Sequence, residues 1–142
     1  MELKFDFLRT RPMPKTFCLL NHSLTQNQLD ELERQFGSAE VVYPDETLAK
    51  MWMQIPPEHS NAAVIESVVL WLKNNAEPGD FFVIQGEFGS TFTIVDFALK
   101  NGLVPLYAAT RRIAKESRRG ETVRREYIFE HICFKKYEYF NG

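Results

Sequence analysis

Three short segments of this 142-residue chain hold side chains or backbone suited to an anionic ligand. The first, Gln85-Gly86-Glu87-Phe88-Gly89-Ser90-Thr91, stands between an apolar run and an amphipathic one. Its glycines permit close backbone approach and positive φ, and the helix expected next would present unpaired N–H groups. Such a turn suits a phosphodiester oxygen, with Gln85, Gly86, Phe88, Gly89, Ser90 and Thr91 as contacts. It is neither the GxGxxG dinucleotide fingerprint nor a phosphate loop with its lysine. Glu87 would repel a phosphate unless it faces sugar hydroxyls or a base.

The second segment, Thr110-Arg111-Arg112, brings two guanidinium groups whose fixed forks of donors match phosphate oxygens. Charge is unevenly spread around it. The chain totals −2, yet Arg111 to Lys136 holds nine Lys/Arg against four Glu, so that stretch is +5 and the remainder −7. This fits a compact anionic ligand and argues against a long nucleic acid, which would call for an overall basic chain. The third segment, Asn21-His22-Ser23, contains one of the chain's three histidines; His59 follows a Pro-Pro turn and His131 lies in a late apolar stretch. There is no Ser-His-Asp or Cys-His arrangement, no carboxylate pair at suggestive spacing and no metal-ligand cluster. No metal and no cofactor are expected.

These segments need elements to position them. Thr16–Leu20 reads as a buried strand, followed by a helix with a Thr25/Gln28 capping box, Leu29, Leu32 and Phe36 on one face, and Gly37 as its stop. Val41–Tyr43 is a second strand. Asp45 caps a helix carrying Leu48, Met51 and Trp52, ended by Pro56-Pro57, and another helix runs from about Asn61 to Asn75. Phe81–Ile84 is the most continuous apolar strand. After the Gln85–Gly89 turn, Ser90 or Thr91 is expected to cap a helix with Phe92, Val95, Ala98 and Leu99 on one face, and Leu103–Tyr107 is the fourth strand. The order β-α-β-α-α-β-α-β predicts a mostly parallel sheet with helices on both faces. Ligands bind beyond the carboxyl ends of such strands, which is where Asn21–Ser23, Gln85–Thr91 and an Ala108–Arg112 loop would fall.

The last thirty residues change character. Arg118–Glu121 is a turn between two extended stretches, Ile113–Ser117 and Thr122–Phe134. A period of two puts Tyr127, Phe129, His131 and Cys133 on one face and Glu126, Ile128, Glu130 and Ile132 on the other, predicting a hairpin or edge strand. One domain, 15–140, accounts for this pattern, with 1–14 as a mobile leader, a partner-binding arm or an upstream extension. Cys18 and Cys133 read as buried thiols in a reducing cytoplasm, and no apolar run is long enough for a membrane span.

Four strings taken together resemble a small family of CRISPR-associated proteins encoded beside type III systems. They are Leu19 to Thr25, Trp52-Met53-Gln54-Ile55-Pro56-Pro57-Glu58, Pro78 to Gly89, and Gly102 to Arg111. Two positions depart from its pattern: Asn21 replaces a serine and Glu87 an aspartate. The resemblance implies a single Rossmann-like, CARF-related domain that handles cyclic oligoadenylate. The implied activity is that of a ring nuclease opening cyclic tetraadenylate and so switching off an antiviral alarm.

That activity needs no metal. A ribose 2′-hydroxyl held in line with the leaving 5′-oxygen can attack its own phosphorus, giving linear adenylates with a 2′,3′-cyclic phosphate. Backbone N–H groups of the Gly86–Thr91 turn and the arginines, Arg111 first, would stabilise the phosphoryl oxygens, while His22 or Glu87 assists proton transfer. Asn21, Ser23, Thr110 and Arg112 are the remaining expected contacts. A fourfold ring contains a two-fold axis, so a homodimer is its natural host. Two other readings stay open: a non-catalytic sensor of the same nucleotide, and a protein-interaction module using the basic hairpin and the Met1–Pro14 arm.

Overall fold

The apolar runs form strands and the amphipathic stretches form helices. The structure, a computed structural model, describes residues 11–141. In chain order the elements are β1 (Lys15–Leu19), α1 (Gln26–Phe36), β2 (Glu40–Val42), α2 (Glu46–Met53), α3 (Ala62–Asn75), β3 (Phe81–Ile84), α4 (Phe88–Lys100), β4 (Val104–Arg119) and β5 (Thr122–Lys136). They build one five-stranded sheet in the order β2-β1-β3-β4-β5. The first four strands run parallel, with Thr16 opposite Val41, Phe17 opposite Phe82 and Phe82 opposite Pro105; β5 returns antiparallel to β4. The mixed α/β architecture is the one expected, closed by a C-terminal hairpin.

Strand alternation divides the core. Phe17, Leu19, Phe82 and Ile84 meet Trp52 of α2, Val64, Val68 and Leu72 of α3, and Ile94 and Ala98 of α4. The opposite face, Cys18, Val83, Leu106 and Phe134, packs on Leu32 of α1. Burial pushes the Cys18 thiol up to about 12, so it stays protonated and inert. Cys133 is half-buried.

Local signals set the helix ends. Thr25 and Gln28 complete a capping box, with the Gln28 amide donating to Thr25 Oγ1 at 3.3 Å and the Thr25 amide donating to Gln28 Oε1 at 3.0 Å. Gly37 adopts the left-handed conformation at φ 68°. Asp45 caps α2 through the Leu48 amide at 2.8 Å. One expectation fails here: α4 is capped by Glu87 rather than by Ser90 or Thr91 and begins at Phe88.

Two further corrections concern the second half of the chain. β4 does not stop at Tyr107; it passes through the expected Ala108–Arg112 loop and runs on to Arg119, paired with β5 throughout. Each residue from Thr110 to Arg119 has a cross-strand partner on β5 and no Pro or Gly interrupts the segment, so nothing forces a break. The hairpin then turns at Gly120-Glu121, with Gly120 at φ 64°. A bulge opposite Ala109/Thr110 leaves Ile132 unmatched, so Cys133 leaves the face shared by Tyr127, Phe129 and His131.

The folded body also begins earlier than Lys15. Arg11 donates to both carboxylate oxygens of Asp80, at 2.8 and 2.6 Å, and Asp80 is 0% exposed. The same carboxylate accepts from the amides of Lys15, at 3.0 Å, and Glu77, at 2.8 Å. The rest of the expected leader, 1–10, lies outside the described residues. Among the described residues no helix is long and apolar enough to cross a membrane.

Candidate functional site

The strand order reverses at β1. The chain leaves β1 toward α1 on one face of the sheet and leaves β3 toward α4 on the other, which opens a crevice beyond their carboxyl ends. Leu20, Asn21, His22, Gln85 and Gly86 line it, enclosing about 140 Å³. A larger hollow of about 690 Å³ adjoins it, sharing Gln85 and Gly86 and walled by Phe88, Thr91, Phe92 and Tyr137 among others. Fold topology thus gathers residues from two of the three expected segments.

Gln85 is the hub of this edge. Its amide donates to Leu19 O at 3.3 Å, its carbonyl accepts from Trp52 Nε1 at 3.1 Å, and its Oε1 accepts from the Ala108 amide at 2.9 Å. With Oε1 committed, Nε2 is the group it has left to offer a ligand. His22 is exposed, and its Nδ1 donates to Ser23 O at 2.9 Å. That bond leaves Nε2 as the unprotonated, accepting nitrogen of the neutral ring. Asn21 and Ser23 flank it, both exposed.

Glu87 does something the sequence did not suggest. Its Oε1 accepts from the Ser90 amide at 2.7 Å and from Asn61 Nδ2 at 2.9 Å, and its Oε2 accepts from the Gly89 amide at 3.2 Å. The N–H groups expected to cradle a phosphate therefore already hold a carboxylate of the chain itself. The bond from the Ser90 amide, followed by the others, lowers the Glu87 carboxyl below its ordinary range, so it is ionised near neutral pH and has no proton to give. Ser90 is 0% exposed, which removes it from direct ligand contact, and its hydroxyl and that of Thr91 are buried without a partner among the described residues.

The glycines also serve another purpose. Neither Gly86 nor Gly89 has positive φ. A Cβ on Gly86 would lie 2.5 Å from Trp52 Cζ2 and 2.8 Å from Trp52 Nε1, so this glycine exists to let the buried indole under the crevice floor. Trp52 and Asn61 are the functional neighbours that sequence reasoning missed. Tyr137 is a third: it donates to Ile84 O at 2.7 Å, and burial pushes its hydroxyl up to about 12. These contacts join positions 26, 33 and 53 residues apart, which no local pattern encodes.

The two arginines do not form one clamp. As neighbours in a strand they point to opposite faces of the hairpin. Arg112 stacks on the Tyr127 ring at 4.0 Å, while Arg111 stands opposite Glu130. Thr110 shares the face of Arg112 and stands opposite His131. His131 anchors the hairpin base instead of a ligand: its Nε2 lies 2.6 Å from Glu31 Oε1, and Gln28 Nε2 lies 3.3 Å from its Nδ1. Among the described residues no group of three or more His, Cys, Asp or Glu gathers as a metal site.

Residues 14–135 match the model of the family described as "Uncharacterized protein MJ1673 family". The chain belongs to that family. A relative from Methanocaldococcus jannaschii, "Uncharacterized protein MJ1673", is 33% identical over 126 residues, covering 88% of this chain and 98% of the relative. No solved structure matches. The MJ1673 family match spans the crevice, the α4 side of the hollow and the β4–β5 hairpin through Lys135, while Tyr137, Glu138 and Tyr139 of the hollow's wall lie beyond it.

Proposed function

We propose that the protein is a metal-independent ring nuclease that opens cyclic tetraadenylate, giving linear adenylates and ending type III CRISPR antiviral signalling. The observation that carries this reading is the crevice at the β1/β3 reversal, where Asn21 and His22 face Gln85 and Gly86. The resemblance of the surrounding strings to CARF-related proteins supplies the substrate class.

In the proposed step a ribose 2′-hydroxyl attacks its own phosphorus. The bond from phosphorus to O2′ forms, the bond to O5′ breaks, and the 2′-proton passes to His22 Nε2, the accepting nitrogen. The departing O5′ takes up a proton from water, His22 returns the 2′-proton to the solvent, and the product ends in a 2′,3′-cyclic phosphate. Gln85 Nε2 supplies a donor to the phosphoryl oxygens, and Arg111, on the hairpin outside the crevice lining, is the further donor this reading calls for; Glu87, ionised and committed to its cap, acts by holding the α4 N-terminus in place. Pockets for a drug-sized ligand run from about 300 to 1,000 Å³. A crevice of about 140 Å³ is too small for a four-nucleotide ring, which supports a homodimer that places two crevices around one ligand.

The test is incubation of the pure protein with cyclic tetraadenylate in EDTA, with the products separated. Conversion to dinucleotides is expected, abolished or slowed at least tenfold in His22→Ala and reduced more by Arg111→Ala than by Arg119→Ala, which sits at the hairpin tip. Tight binding with no turnover would leave a sensor of the same nucleotide, and absence of binding would sink both. Full turnover in His22→Ala would remove the histidine from the mechanism.

A further inference from the structure

The β4–β5 hairpin outruns the sheet it belongs to. β4 pairs with β3 only as far as Leu106, whereas from Thr110 to Arg119, ten residues pair with β5 alone. At about 3.4 Å per residue this arm is about 34 Å long, comparable to the width of a small domain. It continues β4 past its carboxyl end, so it rises from the same edge of the sheet on which the crevice opens. A two-stranded ribbon standing alone in water is marginal at best, and a long uncovered strand edge invites pairing.

Both faces of the arm carry large apolar groups in the open. Val123, Tyr127 and Phe129, the last 67% exposed, share one face, and Ile128 lies on the other. Between Thr110 and His131 the arm has seven Arg/Lys and four Glu, net +3, which leaves −5 for the rest of a chain whose total is −2. The partner that fits is acidic and has a hollow for aromatic rings. The body of this same chain has one: the hollow of about 690 Å³ beside α4, with Phe88 and Phe92 exposed at 92% and 77%, and with Glu138 and Asp96 on its lining, Asp96 already paired with Lys100 at 2.8 Å, so that the negative charge on offer is Glu138 and the body's overall excess. The hollow begins at the carboxyl edge, at Gln85 and Gly86, and runs along α4 as far as Leu99.

We infer that the arm is an assembly device whose partner is a second copy of this chain, its aromatic face docking on the α4 hollow of that copy and the contact repeated by symmetry. Two facing copies joined in this way bury the apolar groups of arm and hollow together, and each arm's positive charge meets the negative body of the other. The inference goes beyond the nuclease reading and does not rest on it, because assembly is measured with no nucleotide present.

The experiment is sedimentation velocity on the full chain at micromolar concentrations. The unchanged protein is expected to be a dimer. Phe129→Glu on the arm and Phe92→Glu at the hollow, both on exposed positions that leave folding intact by circular dichroism, are each expected to weaken it about 30-fold or more. Leu70→Glu, on the exposed side of α3, is the control and leaves the dimer unchanged. A monomeric unchanged protein overturns the inference, as does a dimer that survives Phe129→Glu or Phe92→Glu. If such a monomer captures an RNA oligonucleotide through the arm, the arm is a nucleic-acid contact instead.

Discussion

Gly86→Ala isolates the contact that ties the two most distinctive strings of the sequence together. The new Cβ would fall 2.5 to 2.8 Å from three atoms of the Trp52 indole, and Trp52 is 2% exposed, so the ring has nowhere to retreat. Overpacking of this kind costs about 1–3 kcal/mol. A displaced ring also stretches the 3.1 Å bond from Trp52 Nε1 to Gln85 O, a further loss of about 1 kcal/mol. The sum, about 2–4 kcal/mol, corresponds to a drop in Tm of about 6–14 °C for a domain of this size. Urea and thermal unfolding of the single variants and of Gly86→Ala/Trp52→Leu would check it. In the double variant the clashing atoms are gone, so its cost is expected to fall short of the summed single costs by at least about 1 kcal/mol. Gly89→Ala is the contrast, since its nearest neighbour is the flexible end of Asn61 at 3.3 Å, and its cost is expected to stay below about 1 kcal/mol. A Gly86→Ala protein within about 0.5 kcal/mol of the parent, or strict additivity in the double variant, would refute the reasoning.

Asp80→Asn removes a buried charge held by Arg11 and two amides and is expected to cost about 2–4 kcal/mol in urea unfolding. Burial alone would raise the Asp80 carboxyl, but the Arg11 guanidinium and the Glu77 and Lys15 amides bring it below its ordinary value. Its stabilisation is therefore complete above the unfolded carboxyl pKa of about 3.9 and is lost as the pH falls through the lower folded value, so the gap between parent and variant should close on acidification. A gap independent of pH would contradict that assignment. Glu87→Ala uncaps α4 and is expected to lower the urea midpoint, with faster hydrogen exchange at Gly89 and Ser90; unchanged exchange there would show that the amides were never capped.

Much of the fold was legible because its signals are local. The Thr25/Gln28 box, Gly37 and Asp45 each act within one helical turn, and the continuous apolar runs at Thr16–Leu20 and Phe81–Ile84 marked the buried central strands. The crevice residues Asn21, His22, Gln85 and Gly86 followed from a rule about strand ends that needs only element order. What escaped was long-range or degenerate. Ser90 and Thr91 are common cap types and glutamate is not, so the cap by Glu87 became visible only with the observed start of α4 at Phe88. Arg111 and Arg112 read as a pair in a loop but separate to opposite faces once β4 continues through them. The contact of Arg11 with Asp80 spans 69 positions, so the start of the body could not be read from the residues beside it.

The proposed opening of a cyclic adenylate by internal attack of a 2′-hydroxyl is read out by phosphorus NMR of cyclic tetraadenylate incubated with the protein in EDTA. The diester resonance of the intact ring is expected to decay as a resonance from a five-membered 2′,3′-cyclic phosphate grows in beside the diesters of the linear product. An unchanged ring spectrum, or products carrying only a terminal phosphate monoester from the first time point, would contradict it.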